Sequence, residues 1–215
     1  MSEIALRSIT GVLLVLTALT AEWVGGTAFA VLVAAAATAI YYEWAKMVRG
    51  WGLAWHLGGF AFALLPALSL LWVRERAGVP AGSQGFELVL WAFIVTWSAD
   101  IGAFFTGRTF GGPKLAPTIS PNKTISGLIG GLITATLLGG IWAQSQGLHW
   151  VWLLLAPIFA FAAALGDLFE SCMKRRAGVK DSGRILPGHG GVFDRLDGLV
   201  PVAVLTAFGV MAGLG

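Results

Sequence analysis

Apolar residues occur along this chain in runs that are each close to the length of a membrane-spanning helix. A bilayer core requires about 20 mostly apolar residues of helix. The pattern predicts spans at about 5–21, 25–47, 52–73, 86–106, 125–143, 149–172 and 198–214. Two polar segments, 107–124 and 173–197, separate the later runs. The pattern therefore predicts about seven transmembrane helices with two long polar connections.

The composition excludes a soluble domain. Of the 215 residues, 57% are apolar and 12% are charged, whereas soluble domains have about 45–50% apolar and about 25% charged residues. The 30 glycines and 8 prolines are spread through apolar stretches, which argues against collagen-like and low-complexity chains. We therefore predict an all-α polytopic membrane protein.

The lysines and arginines predict the orientation of the spans. With an inside N-terminus, 12 of the 14 basic residues fall on the cytoplasmic side, and only Arg74 and Arg76 fall outside. Cytoplasmic loops carry an excess of lysine and arginine, so this orientation is the favoured one. It places both polar segments at the cytoplasmic face, where we expect a polar cavity. We divide the chain into N-terminal helices over 1–85 and a catalytic membrane region over 86–215.

Acidic side chains are concentrated near the second polar segment. Five of the 11 lie within 31 consecutive positions: Asp167, Glu170, Asp181, Asp194 and Asp197. On a helix, Asp167, Glu170 and Lys174 share one face with Ser171. A carboxylate in hydrocarbon costs roughly 2.5–3.5 kcal/mol, so Asp167 should face a wet cavity, a cation or another helix. A simple ion pair with a nearby basic residue is the alternative.

The segment from Lys174 to Gly198 combines six basic residues with glycines and carboxylates. The basic residues suit phosphate groups or anionic lipid heads, and the glycines allow close backbone approach around His189. His189 could act as a base, bind phosphate or cap the glycine turn. Magnesium typically takes one or two carboxylates together with substrate phosphates. Asp167 and Asp194 could therefore hold one Mg²⁺ between two helices, with Asp197 as a reserve ligand.

A second group of polar residues precedes this one. Asp100 lies about two helical turns inside the fourth span, and Arg108 follows on about the same face, so both could line the cavity. The sequence SPNKT then supplies Ser120, Lys123 and Thr124 just before the fifth span. A lysine and hydroxyls near a helix N-terminus can bind an anion, although a simple capping turn is the alternative. Together these groups suggest phosphoryl or nucleotidyl transfer to a lipid head group, a reaction that depends on positioning and charge neutralisation.

The run SCMKRRAGVKDSGRILPGHGGVFDRLD, from Ser171 to Asp197, resembles the signature of the phosphatidate cytidylyltransferases, the CDP-diacylglycerol synthases. The matching elements are Ser171, Lys174, Arg175, Lys180, Asp181, Pro187, His189, Gly190, Gly191, Asp194, Arg195 and Asp197. The SPNKT segment and the Gly166–Asp167 pair resemble the same family, so the likeness covers roughly residues 97–200.

This resemblance implies a magnesium-dependent membrane enzyme of phospholipid biosynthesis that joins CTP to phosphatidate, giving CDP-diacylglycerol and pyrophosphate. It implies that Asp167 and Asp194 hold the metal. The expected catalytic residues are Asp167, Asp194, Lys123 and His189. The expected substrate-binding residues are Asp100, Arg108, Ser120, Thr124, Lys174, Arg175, Lys180, Asp181, Arg195 and Asp197. We also expect a homodimer in the bacterial cytoplasmic membrane, with its active site on the cytoplasmic side and no nucleic-acid partner.

One departure from the family pattern and two other functions bear on this interpretation. Ser126 stands where many members of the family carry a glutamate, so any role of that glutamate is not transferred. A CTP-dependent kinase or cytidylyltransferase acting on an isoprenoid lipid is the nearest alternative, since a shared CTP site need not determine the acceptor. A transporter is a remote alternative, because transporters place their sites near the membrane midplane, whereas the polar residues here gather at predicted cytoplasmic helix ends.

Overall fold

The computed structural model describes residues 3–76 and 84–214, which are helical almost throughout. The helices along the described residues are α1 (Glu3–Val24), α2 (Gly26–Met47), α3 (Leu53–Arg76), α4 (Gln84–Phe110), α5 (Ile125–Ser145), α6 (Val151–Arg176), α7 (Phe193–Leu196) and α8 (Leu199–Gly209). Two short strands, β1 (Lys114–Ala116) and β2 (Ser120–Thr124), lie between α4 and α5. The all-α class predicted from the sequence is confirmed.

Six helices among the described residues, α1 to α6, are long and apolar enough to cross a membrane. The ends of these helices lie within four residues of the predicted spans. The predicted seventh span, 198–214, is different because it is a shorter apolar helix. It consists of α8 and a π-helical turn over Val210–Leu214, which contains Gly213 with a φ of 88°. The prediction of about seven helices therefore corresponds to six full-length helices and one short one.

The centre of the bundle is α4, which packs against α3, α5, α6 and α8. Two tryptophans, Trp91 of α4 and Trp152 of α6, are fully buried there with their ring centroids 4.9 Å apart. The indole nitrogen of Trp91 donates a hydrogen bond to the carbonyl oxygen of Gly139 at 3.1 Å. The ring is therefore buried without leaving its single polar group unpaired.

Glycines allow α4 and α5 to lie against each other almost backbone to backbone. A Cβ atom added to Gly131 of α5 would lie 2.6 Å from the carbonyl oxygen of Ala99, and one added to Gly127 would lie 2.9 Å from that of Ala103. Small residues at such interfaces let membrane helices approach closely and gain packing contacts that larger side chains would prevent. The glycine-rich sequence of α5 thus brings its first turn close to α4.

The two strands form a small antiparallel hairpin in which Lys114 pairs with Thr124 and Ala116 pairs with Ser120. The sequence analysis treated this region as an irregular polar segment and did not predict the hairpin. At its end, the Thr124 side chain accepts a hydrogen bond from the amide of Gly127 at 3.0 Å and so caps α5. The hairpin and the cap together determine the position of Lys123, which directly precedes the cap.

A buried ion pair joins the C-terminal parts of α1 and α3. Nε of Arg74 lies 2.8 Å from Oε1 of Glu22, and both side chains are at most 1% exposed. Nη2 of Arg74 also donates to the backbone carbonyl oxygen of Glu22 at 3.0 Å. Because burying a charge without an opposite charge is costly, removing either residue would leave the other as a destabilising buried charge.

Candidate active site

A cavity of about 1390 Å³ lies among the helices and reaches the hairpin. Part of its wall is apolar and comes from α1, α2 and α3, with side chains such as Leu14, Val33 and Leu70. The charged side chains of the wall lie between Asp100 and Asp197, in the part of the chain from α4 onward. Nine of the 14 site residues expected from the sequence line this cavity: Asp100, Arg108, Lys123, Thr124, Asp167, His189, Asp194, Arg195 and Asp197. The cavity is therefore amphiphilic.

Three carboxylates form a compact cluster beside this cavity. Asp167, Glu170 and Asp197 each offer one oxygen atom, and these atoms all lie within 4.8 Å of one another. Asp167 and Glu170 come from one face of α6, as predicted, while Asp197 follows α7. A Cβ atom at Gly166 would lie 3.1 Å from the carbonyl carbon of Asp197. The glycine before Asp167 thus lets the backbone of Asp197 approach α6.

This cluster has the properties of a cation site. Burial raises the pKa of the Asp197 carboxyl group well above its ordinary value, and the neighbouring charge of Asp167 raises it further. Negative charge accumulated in a partly buried place is relieved by a bound cation, and a set of oxygen donors suits a hard divalent ion. Asp167, Glu170 and Asp197 could therefore hold a metal ion.

The two polar regions identified in the sequence meet at Asp167. Lys123 from β2 makes an ion pair with Oδ2 of Asp167, and both side chains remain partly exposed. The hydroxyl of Ser171 lies 3.4 Å from Oδ1 of the same carboxylate. Asp167 thus both lines the cavity and makes an ion pair with a basic residue.

Asp194 has a different environment from the three-carboxylate cluster. Its Oδ1 lies 2.8 Å from Nζ of Lys174, which also lies 2.6 Å from Oε2 of Glu170. Its Oδ2 accepts hydrogen bonds from the amides of Ser182 at 3.0 Å and Gly191 at 2.8 Å. Burial opposes ionisation here, but the interactions of Asp194 with Glu170, Lys174 and the Gly191 amide outweigh it and lower the pKa of Asp194 to about 2.

The structure therefore groups Asp167 with Glu170 and Asp197, whereas the sequence analysis paired Asp167 with Asp194 as metal ligands. Glu170 connects the two arrangements, because it belongs to the cluster and also interacts with Asp194. Sharing of one ion by Asp167 and Asp194 stays a prediction.

His189 lies in a turn that contacts α1. Its amide donates to the carbonyl oxygen of Leu186, and its own carbonyl oxygen accepts from Nε and Nη2 of Arg195 at 3.2 and 3.0 Å. A Cβ atom at Gly11 of α1 would lie 3.3 Å from Nε2 of His189. The Nδ1 atom is buried and has no hydrogen-bond partner among the described residues. All three roles considered for His189 stay open.

Five expected site residues lie outside the cavity lining: Ser120, Lys174, Arg175, Lys180 and Asp181. Arg175 donates from Nε to the carbonyl oxygen of Ile119 at 3.2 Å and so links α6 to the hairpin. Lys180 and Asp181 are exposed. Ser126, at the position of the family's glutamate, makes hydrogen bonds with Gly111 and with Thr124.

The sequence analysis did not select two carboxylates that contact these residues. Glu170 was placed on the polar face of α6 but was not chosen as a site residue. Glu43 of α2 was not considered, yet it is fully buried and accepts hydrogen bonds from the segment that contains Asp194. Both could have been found, because a carboxylate inside a membrane helix is costly and needs a partner.

Comparisons with known proteins agree with the resemblance seen in the sequence. A model of the cytidylyltransferase family matches residues 54–212. The chain is 36% identical over 256 residues to a phosphatidate cytidylyltransferase of Brucella suis biovar 1 (strain 1330), an alignment that covers 95% of this chain and 92% of that protein. It is 48% identical over 126 residues to a phosphatidate cytidylyltransferase of Staphylococcus haemolyticus (strain JCSC1435), covering 57% of this chain and 48% of that protein.

Proposed function

This chain belongs to the cytidylyltransferase family, and we propose that it transfers CMP from CTP to phosphatidate, giving CDP-diacylglycerol and pyrophosphate. The observation that carries this proposal is the amphiphilic cavity, in which charged side chains and an apolar wall share one space. Such a cavity suits two reactants of different solubility. The charged part fits the phosphates of both reactants, and the apolar part fits the acyl chains of a lipid.

In the proposed reaction, a phosphate oxygen of phosphatidate attacks the α-phosphorus of CTP. A bond forms between them while the bond from the α-phosphorus to the oxygen leading to the β-phosphorus breaks, and pyrophosphate leaves. The reaction needs no covalent intermediate with the protein. Its main requirements are that both phosphates are held in line and that their negative charge is neutralised.

We assign the neutralisation of phosphate charge to Lys123 and Arg195, supported by Arg108. All three line the cavity that also contains Asp167. Lys123 is already beside a carboxylate, so its ammonium group can exchange that partner for a substrate phosphate. We keep as proposed substrate contacts the other residues expected from the sequence. They are Asp100, Ser120, Thr124, Arg175, Lys180 and Asp181.

We propose that the cofactor is Mg²⁺ and that Asp167 is its central ligand, with Asp194 and Asp197 as the further candidates. The oxygen donors of the cluster support this proposal. When bound, the ion would neutralise phosphate charge at the reacting centre. Lys174 makes short ion pairs with both Asp194 and Glu170. We propose that Lys174 orients the Asp194 side chain, in addition to the contact with the substrate that the sequence predicts.

We further propose that the protein lies in the bacterial cytoplasmic membrane, with the charged part of the cavity on the cytoplasmic side. The uneven distribution of lysine and arginine supports this orientation. A homodimer without a nucleic-acid partner is also proposed. We also propose that the chain divides into N-terminal helices over 1–85 and a catalytic region over 86–215. The N-terminal helices supply much of the apolar wall of the cavity.

The proposed function is tested by incubating the purified protein with Mg²⁺, CTP and one of two acceptors, phosphatidate or a prenyl lipid. The label is placed at either the α- or the γ-phosphorus of CTP. We expect the α-label in phosphatidate-derived lipid, with release of labelled pyrophosphate from γ-labelled CTP. Transfer of the γ-label to lipid would instead indicate a kinase. Preference for the prenyl lipid would show that the acceptor is an isoprenoid lipid and not phosphatidate. Substrate uptake into vesicles without CTP consumption would indicate a transporter.

A further inference from the structure

Glu43 is a fully buried carboxylate that reaches from α2 into the signature segment. Its Oε1 accepts a hydrogen bond from the amide of Val192 at 3.0 Å, and its Oε2 accepts one from the amide of Phe193 at 2.8 Å. Oε2 also accepts from the hydroxyl of Ser182 at 3.0 Å. Both oxygens of the Glu43 side chain therefore accept hydrogen bonds from residues that are about 140–150 positions away in the sequence.

The local sequence is adapted to this contact. A Cβ atom added to Gly191 would lie 2.5 Å from Oε2 of Glu43, so any larger residue at position 191 would force the carboxylate and the turn apart. Phe193 is fully buried, and its ring lies 6.0 Å from that of Trp44, the residue next to Glu43. Hydrogen bonds and aromatic packing therefore hold the first turn of α7 against the end of α2.

The held segment is the one that positions Asp194. Ser182 donates its hydroxyl to Glu43 and its amide to Asp194, and the amide of Gly191 donates to Asp194 immediately before the residues held by Glu43. Glu43 itself does not line the cavity. Its contact with the residues around Asp194 is through this shared segment.

We propose that Glu43 is a positioning residue, which anchors the turn at residues 191–193 and the side chain of Ser182 so that Asp194 keeps its place at the cavity. This inference rests on the proposed function, to which it adds a contribution from the N-terminal helices. Its chemical basis is that the carboxyl group of Glu43 accepts three hydrogen bonds at a buried place, where each is stronger than it would be in water.

The test uses the full chain with Glu43→Gln, Glu43→Asp and Ser182→Ala. Glutamine has the shape of glutamate, but one of its two terminal atoms cannot accept a hydrogen bond. We expect Glu43→Gln to lower kcat roughly ten- to a hundredfold, because small misplacements near reacting groups have effects of that size, while KM for phosphatidate stays unchanged. Glu43→Asp keeps both acceptor oxygens and should retain more activity than Glu43→Gln. Ser182→Ala removes one of three donors and should have a smaller effect in the same direction.

A second readout reports on the segment without depending on the reaction. Lys180 and Arg184 are exposed beside Ser182, so trypsin cleavage after them should be faster in Glu43→Gln than in the wild type. The double variant Glu43→Gln with Ser182→Ala should lose less than the sum of the two single losses, because the two residues share one hydrogen bond.

Two control variants separate positioning from general destabilisation. Thr38→Val alters an exposed residue of the same helix, whose hydroxyl donates to the carbonyl oxygen of Ala34. Glu22→Gln alters another fully buried carboxylate, which pairs with Arg74. We expect Thr38→Val to change nothing, and Glu22→Gln to lower the unfolding temperature while leaving kcat per folded molecule and the cleavage rate unchanged.

A normal kcat in folded Glu43→Gln would overturn the inference, and so would an equal loss of kcat in Glu22→Gln. If Glu43→Gln does not fold, Ser182→Ala decides the question by the same readouts. If the wild type transfers no CMP, the proposed function fails, but unchanged trypsin cleavage in Glu43→Gln would still reject the anchor by itself.

Discussion

Lys123, near the end of β2, makes an ion pair with Asp167 in α6. This contact brings together the two polar regions that stand apart in the sequence. It also places the ammonium group at the carboxylate cluster, in the charged part of the cavity. A substrate phosphate entering there would compete with Asp167 for the lysine.

We expect Lys123→Ala to lower kcat/KM for CTP roughly ten- to a hundredfold. A hydrogen bond to a charged group contributes about 1.5–3 kcal/mol, and each 1.4 kcal/mol corresponds to about tenfold in rate. Steady-state kinetics with CTP as the varied substrate measure this effect. The matched control is Lys46→Ala, because Lys46 is an exposed lysine of α2 that lies over the ring of Tyr42. An unchanged kcat/KM in Lys123→Ala would remove the lysine from the site.

Asp167→Asn and Asp194→Asn should each abolish turnover while the protein remains folded in detergent. Asp167 belongs to the cluster that could hold the ion, and Asp194 accepts from Lys174 and two backbone amides. The two variants should differ in metal affinity. Calorimetric titration with Mg²⁺ should show a larger loss for Asp167→Asn if the cluster is the metal site.

Glu75→Gln serves as the control for these two variants, because Glu75 is an exposed carboxylate of α3. Its turnover and its Mg²⁺ titration should match the wild type. Near-normal turnover in either aspartate variant would remove that residue from the proposed metal site. Equal loss of Mg²⁺ affinity in both would favour an ion shared by Asp167 and Asp194.

Gly131→Ala should destabilise the contact between α4 and α5 by about 1–3 kcal/mol, since the added methyl group would overpack the interface. Its Cβ atom would lie 2.6 Å from the carbonyl oxygen of Ala99, which belongs to backbone and cannot turn away. Thermal unfolding followed by tryptophan fluorescence measures the effect. Gly58→Ala in α3 is the matched control, because nothing lies within 4 Å of an added Cβ atom there. A higher unfolding temperature for Gly131→Ala than for wild type would contradict the described packing.

The buried pair of Glu22 and Arg74 should behave as a unit. Replacing one partner alone, as in Glu22→Leu or Arg74→Met, should cost about 3–5 kcal/mol because the other charge stays buried without its counterpart. The double variant should be more stable than either single variant, since it leaves no buried charge. Unfolding temperatures of the four proteins form a double-mutant cycle, and strictly additive losses would show that the two residues act independently.

The transmembrane helices could be predicted because the length of an apolar run has a direct physical meaning in a bilayer. The polar face of α6 was predictable for a similar reason, since Asp167, Glu170 and Lys174 follow the helical repeat. The ion pair of Lys174 with Glu170 confirms this geometry. The short last helix was less predictable, because its apolar residues continue through Gly213, where the backbone leaves helical geometry.

Contacts between distant segments could not be predicted in the same way. Whether Asp197 or Asp194 joins Asp167 depends on how α7 packs against α6, and no local repeat determines that packing. The hairpin was also missed, because its strands are short and the sequence of β2, SPNKT, is equally compatible with a capping turn. Glu43 is different, because the cost of burying a carboxylate could have pointed to it, although the sequence analysis did not consider it.

The division of the cavity wall into charged and apolar parts has a practical consequence for work with the purified protein. A detergent monomer also joins a polar head to an apolar tail, so it matches the wall described for the cavity. Detergents with longer tails would then act as competitors of the lipid substrate, and micelle concentration would enter the measured KM. Rates measured in micelles are therefore comparable between variants only when the surfactant and its amount are kept constant.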